Sequence, residues 1–332
     1  MADMCAKYLE TGSVNPAYNL AFEEYVLHNK TEGDYLLLWQ NDNSVIIGRN
    51  QNAEEEINKK YVADNDIKVI RRNTGGGAVY HDLGNLNYSF ITDVDDESQL
   101  NITRFTDIVV ASLKSLGLDA KPSGRNDILI EESKVSGTAQ HLYKNRILYH
   151  GTLLFDSDPD KIAGALNVDE TKFQSKSAKS VKSRVGNIKD FLKEEMHLHD
   201  FWEYLKKNMV SSGIEQEEIT EADQKEIIKL KEEKYDTWEW NFGKNPAYEM
   251  EVKRRWPGGT LKVAMTVDKG IVKDIAIYGD FLALVPIDGL TESLKGCRFT
   301  KEAFREATRD INFSEVLGTI TKDEMLETIF RE

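Results

Sequence analysis

The segment Arg71–Asn85 has the sequence RRNTGGGAVYHDLGN and places three consecutive glycines, Gly75 to Gly77, between two runs of strand-forming residues. A glycine triplet is costly to order, because glycine loses more conformational freedom on folding than any other residue. It is useful where the backbone must approach a ligand closely and direct its N–H groups at an anion. A glycine bulge or a tight turn is the alternative interpretation of this segment taken alone.

The glycines match neither of two common nucleotide-binding loops. No Gly-Lys-Ser/Thr follows them and no helical pattern begins after them, so the segment is not a Walker loop. The dinucleotide fingerprint also requires a glycine-rich turn that opens a helix within a β-α-β unit. The sequence therefore points to a ligand-binding loop between two strands.

Arg71 and Arg72 precede the glycines at the end of a predicted strand. Because side chains alternate across a strand, only one of the two arginines can face the same side as the ligand. An arginine fork in that position suits a phosphate or a carboxylate. We expect the other arginine to lie at the surface.

Strand-forming runs continue on both sides of the glycines, and few helices separate them. YLLLWQ and SVIIG come before them, and NLNYSFIT, DILIEES, KVSGTAQ and RILYHGTLLFD come after them. Helical patterns predict helices at Asn15–Lys30, Ala53–Asp64, Asn101–Leu116 and Asp200–Lys234. A doubly wound parallel sheet needs a helix after each strand, so the sequence predicts a mixed or mainly antiparallel sheet of the α+β class.

The composition changes near Asn241–Asn245, and three further strand patterns follow: YEMEVKRRW, TLKVAMTV and IVKDIAIYG. Asp268-Lys269-Gly270 joins the last two as a hairpin turn. These strands and the helical segments after them suffice for a small second α+β domain. We therefore predict a larger domain over residues 1–244 and a smaller one over residues 245–332.

Two further segments combine strand patterns with candidate ligand-binding residues. In GRNDILIEESKVSGTAQ, Lys134 is followed by small residues and could neutralise a phosphate or activate a carboxylate. Asn126 and Asp127 could hold Mg²⁺ through oxygen ligands and phosphates. In LYHGTLLFD, Gly151 and Thr152 interrupt an apolar run, as expected where a ligand lies against a strand. Solvated side chains and a β-bulge are the respective alternatives.

Composition restricts the classes of function. The 332 residues carry a net charge of −14, which disfavours nonspecific binding to nucleic acid or to an anionic membrane. The two cysteines, Cys5 and Cys297, form neither a disulfide framework nor a metal-binding motif, and His81, His141 and His150 lack zinc-ligand spacing. There is no signal-peptide or membrane-spanning run. We expect a soluble, cytoplasmic protein.

Six segments resemble those of the lipoate–protein ligases and occur in the same order between Asn15 and Ile188. They are NPAYNLAFEE, LWQNDNSVIIGRNQN, RRNTGGGAVYHDLGNLNYSF, GRNDILIEESKVSGTAQ, LYHGTLLF and KSVKSRVGNI. The resemblance implies a catalytic domain related to the biotin–protein ligase fold, with a C-terminal accessory domain. It also implies two reactions: lipoate and MgATP give lipoyl-AMP and pyrophosphate, and the adenylate then acylates a lysine of an acceptor lipoyl domain, in a 2-oxoacid dehydrogenase acyltransferase subunit or a glycine-cleavage carrier protein.

The resemblance also implies roles for individual residues. Both Lys134 and Arg72 correspond to catalytic positions: Lys134 is expected on the α-phosphate and the lipoyl carbonyl oxygen, and Arg72 near the phosphates of ATP. Asp127 is the expected magnesium contact, through ATP. The expected ATP and adenylate contacts are Arg72, Gly75, Gly76, Gly77, Ala78, Val79, Tyr80, Asn126, Asp127, Lys134 and Thr152, and the expected lipoate contacts are Lys134, His81, Gly76 and Gly137.

Two less specific predictions concern the acyl slot and a basic stretch. The apolar part of lipoate needs a dry slot, for which Leu20, Val45, Ile46, Trp39 and Tyr80 are candidates, although core packing explains most of them equally well. The basic stretch resembles the family's adenylate-covering loop, with a solvated loop as its alternative, and it contains Lys176, Lys179, Lys182 and Arg184.

Other functions stay open at this stage. The chain could be an acyl transferase of the same superfamily, moving octanoyl or lipoyl groups between carrier proteins or from preformed lipoyl-AMP. The thiol-dependent version fits poorly, because both cysteines lie outside the matched segments. A noncatalytic lipoate-binding module would not need both Arg72 and Lys134. The sequence indicates neither the preferred acyl chain nor the acceptor, and nothing in it demands more than a monomer.

Overall fold

The computed structural model describes residues 6–94, 103–124, 126–167, 185–209, 215–243 and 250–330. Within these ranges the strands are β1 (Ala6–Glu10), β2 (Asp34–Trp39), β3 (Ser44–Ile47), β4 (Lys68–Arg71), β5 (Val79–His81), β6 (Asn85–Asp93), β7 (Ala120–Ser123), β8 (Asp127–Ile130), β9 (Ser133–Tyr143), β10 (Arg146–Leu154), β11 (Glu215–Gln216), β12 (Met250–Trp256), β13 (Gly259–Asp268) and β14 (Ile271–Gly279).

The α-helices in the same ranges are α1 (Pro16–Asn29), α2 (Ala53–Glu56), α3 (Lys59–Asp64), α4 (Thr103–Ser115), α5 (Pro159–Ala165), α6 (Leu198–Asn208), α7 (Glu221–Leu230), α8 (Trp238–Asn241), α9 (Asp288–Leu294), α10 (Lys301–Ala307), α11 (Phe313–Val316) and α12 (Lys322–Ile329). A 3-10 turn covers Ile188–Phe191, and a π-helical turn over Lys231–Tyr235 extends α7. No helix in the described ranges is both long and apolar enough to cross a membrane.

In the described part of the chain the main sheet has eight strands, in the order β11-β1-β2-β6-β10-β9-β8-β7. β1 runs parallel to β2 and β11, and the remaining neighbours are antiparallel. Successive residues point to opposite faces, so one face packs on α4 and α6 and the other on α1 and α7. The predicted mixed, mainly antiparallel α+β fold is confirmed.

The glycine triplet belongs to a separate small sheet of three strands. β3 lies in its centre, parallel to β4 and antiparallel to β5, and the glycines connect β4 to β5. Helices α2, α3 and α5 pack on this sheet through their own apolar cluster. The triplet therefore lies on a loop between strands, as the sequence predicts.

Helix α1 begins where the sequence predicts, because the Asn15 side chain caps it and Pro16 occupies its first turn. Its buried surface includes polar as well as apolar residues. Glu23 and Glu24 are both buried, since α1 lies between the main sheet and the π-helical turn. Both carboxylates have polar partners there, as buried charges require.

Two predicted helices are each split in two. The helix expected over Ala53–Asp64 is interrupted where Ile57 is extended and pairs with Leu166, and Asn58 then caps α3. The region expected as one helix over Asp200–Lys234 contains α6 and α7, with β11 between them. β11 pairs with β1 at the sheet edge, and this pairing with a distant strand interrupts the predicted helix.

The C-terminal domain is a three-stranded meander, β12-β13-β14, covered by α9 to α12 over an apolar core of its own. Its predicted hairpin turn is present, with Lys269 and Gly270 both at positive φ. The proposed boundary between residues 244 and 245 lies within residues 244–249, outside the described ranges, and stays a prediction.

Candidate active site

A cleft with an empty volume of about 610 Å³ opens on the α1 face of the main sheet, beside the glycine loop. The lining residues come from α1, both sheets and the glycine loop: Leu20, Trp39, Ile46, Arg72, Gly76, Gly77, Ala78, Val79, His81, Asn87, Asn126, Lys134, Gly137, Thr138, Ala139, His150, Gly151 and Thr152.

The cleft runs across the strands of the main sheet rather than along them. Asn87 pairs with Trp39 on one side and with Thr152 on the other, and the Gly137 N–H donates to the Thr152 hydroxyl over 3.2 Å. These four residues form a row from Trp39 to Gly137 that crosses three spacings between adjacent strands, so the row is about 14 Å long. Its Trp39 end is apolar, with Leu20 and Ile46 nearby, whereas its Gly137 end adjoins Lys134.

Lys134 supplies the positive charge at the Gly137 end of the cleft. Its ammonium group lies 2.7 Å from an Asp127 carboxylate oxygen, and the Lys134 side chain is one-third exposed. A Cβ atom on Gly137 would come within 3.1 Å of the ammonium group, so glycine leaves room for the lysine. The Asn126 amide donates to the Thr138 carbonyl and holds the adjoining backbone.

Arg72 forms the other cationic part of the wall. Its guanidinium donates to the Thr74 hydroxyl and to the carbonyls of Ile46, Gly75 and Gly77. Burial lowers the pKa of Arg72 to about 10, so the side chain is charged at neutral pH. Four of its five N–H groups are thereby used, and Arg72 fixes the curvature of the glycine loop.

Arg71 contradicts the expectation of a surface arginine. It is completely buried, and its guanidinium donates to the carbonyls of Gly48, Arg49, Gln51, Trp240 and Asn241. The strand alternation is as predicted, but the side of β4 opposite the cleft is covered by α8 and the Gly48–Gln51 turn. Alternation cannot reveal that cover, because it comes from distant parts of the chain.

A buried polar network underlies the cleft. The Glu23 carboxylate lies 2.9 Å from Nδ1 of His150, whose Nε2 lies 2.8 Å from the Thr74 hydroxyl. Glu23 also accepts from the Ser89 hydroxyl, which in turn accepts from the Trp39 indole. The network joins α1 and the main sheet to the glycine loop.

Sequence reasoning missed several of these residues. Asn87 and Ala139 line the cleft, and Glu23 and Ser89 support it. One signal was available: Asn85, Asn87 and Ser89 place polar side chains at alternate positions of an otherwise apolar strand. Polar residues at a spacing of two on one face of a buried strand indicate a site there.

The structure brings most of the predicted site residues together at the cleft. Three are not among its lining residues. Gly75 contacts the C-terminal domain, Asp127 adjoins the cleft through Lys134, and Tyr80 packs against the small sheet with its hydroxyl on Asn43.

Among the apolar slot candidates, Trp39, Leu20 and Ile46 line the cleft, and Val45 packs in the core of the small sheet. The basic-stretch residues Lys176, Lys179, Lys182 and Arg184 lie outside the described residues.

The donor set beside Lys134 fits a magnesium ion held mainly by phosphates and water. Within the described ranges, no group of three or more His, Cys, Asp or Glu side chains could hold a metal ion. Mg²⁺ commonly takes one or two carboxylates and keeps several waters when it binds with a nucleotide. Asp127 can supply one such carboxylate.

The C-terminal domain contacts the glycine loop and the end of β9. The Gly76 N–H donates to the Phe281 carbonyl over 3.1 Å. His141 Nδ1 lies 3.0 Å from the Leu284 carbonyl, which also accepts from the Leu142 N–H. The loop between β14 and α9 is therefore part of the surroundings of the cleft.

Comparison with known sequences gives matches over both domains. The family described as the lipoyl protein ligase A/B catalytic domain matches residues 15–210, and the family described as the bacterial lipoate protein ligase C-terminus matches residues 245–329. Lipoate-protein ligase LplJ of Bacillus subtilis is 40% identical, with 97% of this chain and 99% of that protein covered. Lipoate–protein ligase 1 of Staphylococcus aureus is 39% identical, with 96% and 98% covered.

Solved structures match as well. Plasmodium falciparum LipL1, in complex with lipoate, has a TM-score of 0.77 at 25% identity and covers 92% of this chain and 95% of its own. A bipartite lipoate protein ligase from Thermoplasma acidophilum, analysed with its E2 lipoyl domain, has a TM-score of 0.64 at 35% identity, covering 74% and 100%. A lipoate-protein ligase A bound with ATP has a TM-score of 0.62 at 32% identity, covering 72% and 99%.

Proposed function

This chain belongs to the lipoate–protein ligase family, and from that premise we propose that it activates lipoate with ATP and transfers the lipoyl group to a lysine of an acceptor lipoyl domain. One observation carries the proposal: a cleft beside a glycine loop has an apolar end at Trp39 and a charged end at Lys134. An amphiphilic acid fits such a cleft in one direction, with its carboxylate at the lysine. Relatives with bound lipoate and bound ATP support both substrates.

In the first step, a lipoate carboxylate oxygen attacks the α-phosphorus of ATP. The bond from that phosphorus to the bridging oxygen breaks, and pyrophosphate leaves. The two reactants are both anions, so their approach is opposed by charge repulsion. Lys134, which lines the cleft, would bond to both reactants, lower the repulsion and stabilise the charge that develops at phosphorus.

The glycine loop would hold the nucleotide through its backbone. Gly76, Gly77, Ala78 and Val79 line the cleft with little side-chain bulk, and the Arg72 guanidinium fixes the loop from behind. Gly75 and Tyr80 extend the same backbone segment. At the Lys134 end, Asn126, Asp127 and Thr152 complete the proposed nucleotide contacts, and Mg²⁺ at Asp127 would neutralise phosphate charge.

The acyl chain would lie across the main sheet. Its carboxylate would contact Lys134 beside Gly137, and the chain would pass the glycine loop at Gly76 toward His81 and Trp39. In the second step, the neutral amine of an acceptor lysine attacks the acyl carbonyl carbon. The bond to the AMP oxygen breaks, AMP leaves and the amine loses a proton. The archaeal ligase analysed with its E2 lipoyl domain supports a lipoyl domain as the acceptor.

The test is lipoate-dependent exchange of radioactive pyrophosphate into ATP, with no acceptor protein present. Exchange is expected, because adenylate formation is reversible and needs no acceptor. A folded sample that shows no exchange but transfers the lipoyl group from synthetic lipoyl-AMP would be a transferase instead. Isothermal titration with ATP separates the ligase from a simple lipoate binder, which would give no nucleotide-dependent heat.

A further inference from the structure

Two buried nitrogen atoms in the cleft wall have no hydrogen-bond partner among the described residues. They are Nε2 of His81 and Nδ2 of Asn87. Both residues are buried: His81 is 3% exposed and Asn87 is 2% exposed. An unpaired buried polar group is expensive, so such atoms in a cavity wall indicate a ligand atom that pairs with them.

The surroundings of His81 determine which of its ring nitrogens carries the proton. The Asn19 amide nitrogen donates to the carbonyls of Ser13 and Gln40, which fixes the orientation of that amide. Oδ1 of Asn41 lies 3.0 Å from the same nitrogen and shares one of its two hydrogens, so the Asn41 amide is fixed in turn. Nδ2 of Asn41 then donates to Nδ1 of His81 over 3.0 Å, and the ring proton must be on Nε2.

His81 is therefore a neutral hydrogen-bond donor. Burial, with the nearby charge of Arg72, lowers the pKa of His81 to about 3, so the ring does not become cationic near neutral pH. Asn87 supplies a second donor, because its Oδ1 accepts from Asn85 and its Nδ2 is left unpaired.

Both donors lie toward the apolar end of the cleft. Asn87 is next to Trp39 in the row across the sheet, and His81 is held by Asn41, two residues after Trp39. Lys134 lies at the other end, beyond Thr152 and Gly137. An acid whose carboxylate contacts Lys134 therefore brings its distal end to the two donors.

We propose that His81 and Asn87 form a donor pair that recognises a ring sulfur of a dithiolane and so selects dithiolane-bearing acids over unsubstituted alkanoic acids. This inference rests on the proposed function and adds the basis of acyl-chain selection. A sulfur atom is a weak acceptor that can receive these N–H groups, whereas a plain alkyl end leaves both donors buried and unpaired. Sites built to hydrogen-bond a substrate atom discriminate against the analogue that lacks it.

The experiment compares pyrophosphate exchange with lipoate and with octanoate, as the ratio of the two kcat/KM values. We expect the wild-type protein to favour lipoate by about 10-fold or more. This factor corresponds to the lower end of the cost of leaving one or two buried donors unpaired. Asn87→Leu and His81→Phe keep the approximate shape of each side chain and remove the donor. Each should lower the ratio at least several-fold, because lipoate loses a partner and octanoate does not.

The control is Gln140→Leu, which also removes a buried amide but lies outside the cleft wall and should leave the ratio unchanged. A general loss of structure in a variant would reduce both activities and leave the ratio at its wild-type value. A folded variant whose activities with both acids fall equally, so that the ratio keeps its wild-type value, would overturn the proposal. The donors would then serve a group common to both acids, such as the carboxylate.

The wild-type measurement separates this inference from the proposed function. Exchange with lipoate and octanoate at equal efficiency would refute the donor pair and leave the ligase assignment in place. No exchange with either acid would refute the proposed adenylation itself.

Discussion

Arg71 and Arg72 are neighbours in sequence and have different tasks in the structure. Arg72 lines the cleft and holds two glycine carbonyls of the loop, whereas Arg71 is enclosed by carbonyls on the far side of β4. A guanidinium offers five N–H groups in a fixed fork, and a lysine ammonium cannot reach as many acceptors in one plane. This difference makes Arg71 a structural residue despite its place in the motif.

We expect Arg71→Lys to lower the free energy of unfolding by about 3 kcal/mol or more, since several buried carbonyls would lose a charged donor. Denaturant unfolding measures the change. Arg309→Lys is the matched control, because the Arg309 side chain is 67% exposed, and its unfolding free energy should barely change. Equal effects of the two substitutions would show that the buried contacts of Arg71 do not stabilise the fold.

For Lys134 we expect the opposite, a small contribution to stability and a large one to activity. Its ion pair with Asp127 is about one-third exposed, and such pairs contribute about 0–1 kcal/mol. We expect Lys134→Ala to keep its unfolding midpoint and to reduce lipoate-dependent pyrophosphate exchange by about 100-fold or more.

Lys121→Ala is the control for Lys134. Lys121 forms a similar 2.7 Å pair with Asp119, at an exposed position on β7. Its exchange rate should equal that of the wild-type protein. If Lys134→Ala exchanges pyrophosphate at the wild-type rate, this lysine takes no part in adenylation.

The glycine loop depends on elements that pack around it. Gly48, directly after β3, approaches the loop so closely that a Cβ atom there would lie 2.1 Å from the Gly76 carbonyl oxygen. Asn73 connects the loop to the π-helical turn. The Lys234 ammonium group of that turn donates to the Asn73 side chain and to the Glu24 carboxylate. The loop is thus held by the small sheet, α1 and the π-helical turn together.

We expect Gly48→Ala to displace the loop, lower the unfolding free energy by about 1–3 kcal/mol and reduce pyrophosphate exchange, because the added methyl group collides with backbone. Thermal unfolding and the exchange assay measure the two effects. Gly289→Ala in α9 is the control, since a Cβ atom there meets nothing within 4 Å. Unaltered exchange in Gly48→Ala would mean that the loop tolerates displacement.

At the scale of the whole molecule, the contact between the domains includes a buried histidine. His141 lies at the end of β9 with Nδ1 on the Leu284 carbonyl, and burial lowers its pKa to about 4. An unfolded histidine takes up a proton below about pH 6.5, whereas His141 in the folded protein does not until about pH 4. The unfolded state therefore binds more protons in this window, and stability falls as the pH falls.

We expect the unfolding free energy to decrease between pH 6.5 and pH 4, and His141→Gln to reduce that decrease by up to about 1.4 kcal/mol per pH unit. Denaturant unfolding at pH 7 and pH 5 measures the slope. His199→Gln removes an exposed histidine and should leave it unchanged. A slope that is the same in wild-type protein and His141→Gln would show that protonation of His141 does not destabilise the folded state.

The sequence by itself determined the features that depend on neighbouring residues. The strand-forming runs with few helices between them determined the α+β class, Asn15 and Pro16 determined the start of α1, and the positions of Gly75 to Gly77 and Lys134 determined where a ligand would be sought. These signals are local, because strand alternation, helix capping and glycine conformation act within a few residues.

Only the tertiary structure decided which side chains meet in the cleft. Arg71 is buried because α8, about 170 residues away, covers it, and Glu23 reaches His150 across 127 residues of chain. The split between α6 and α7 likewise follows from the pairing of β11 with β1. Partners so distant leave no periodic trace in the sequence, since hydrogen bonding and burial depend on the folded arrangement rather than on spacing along the chain.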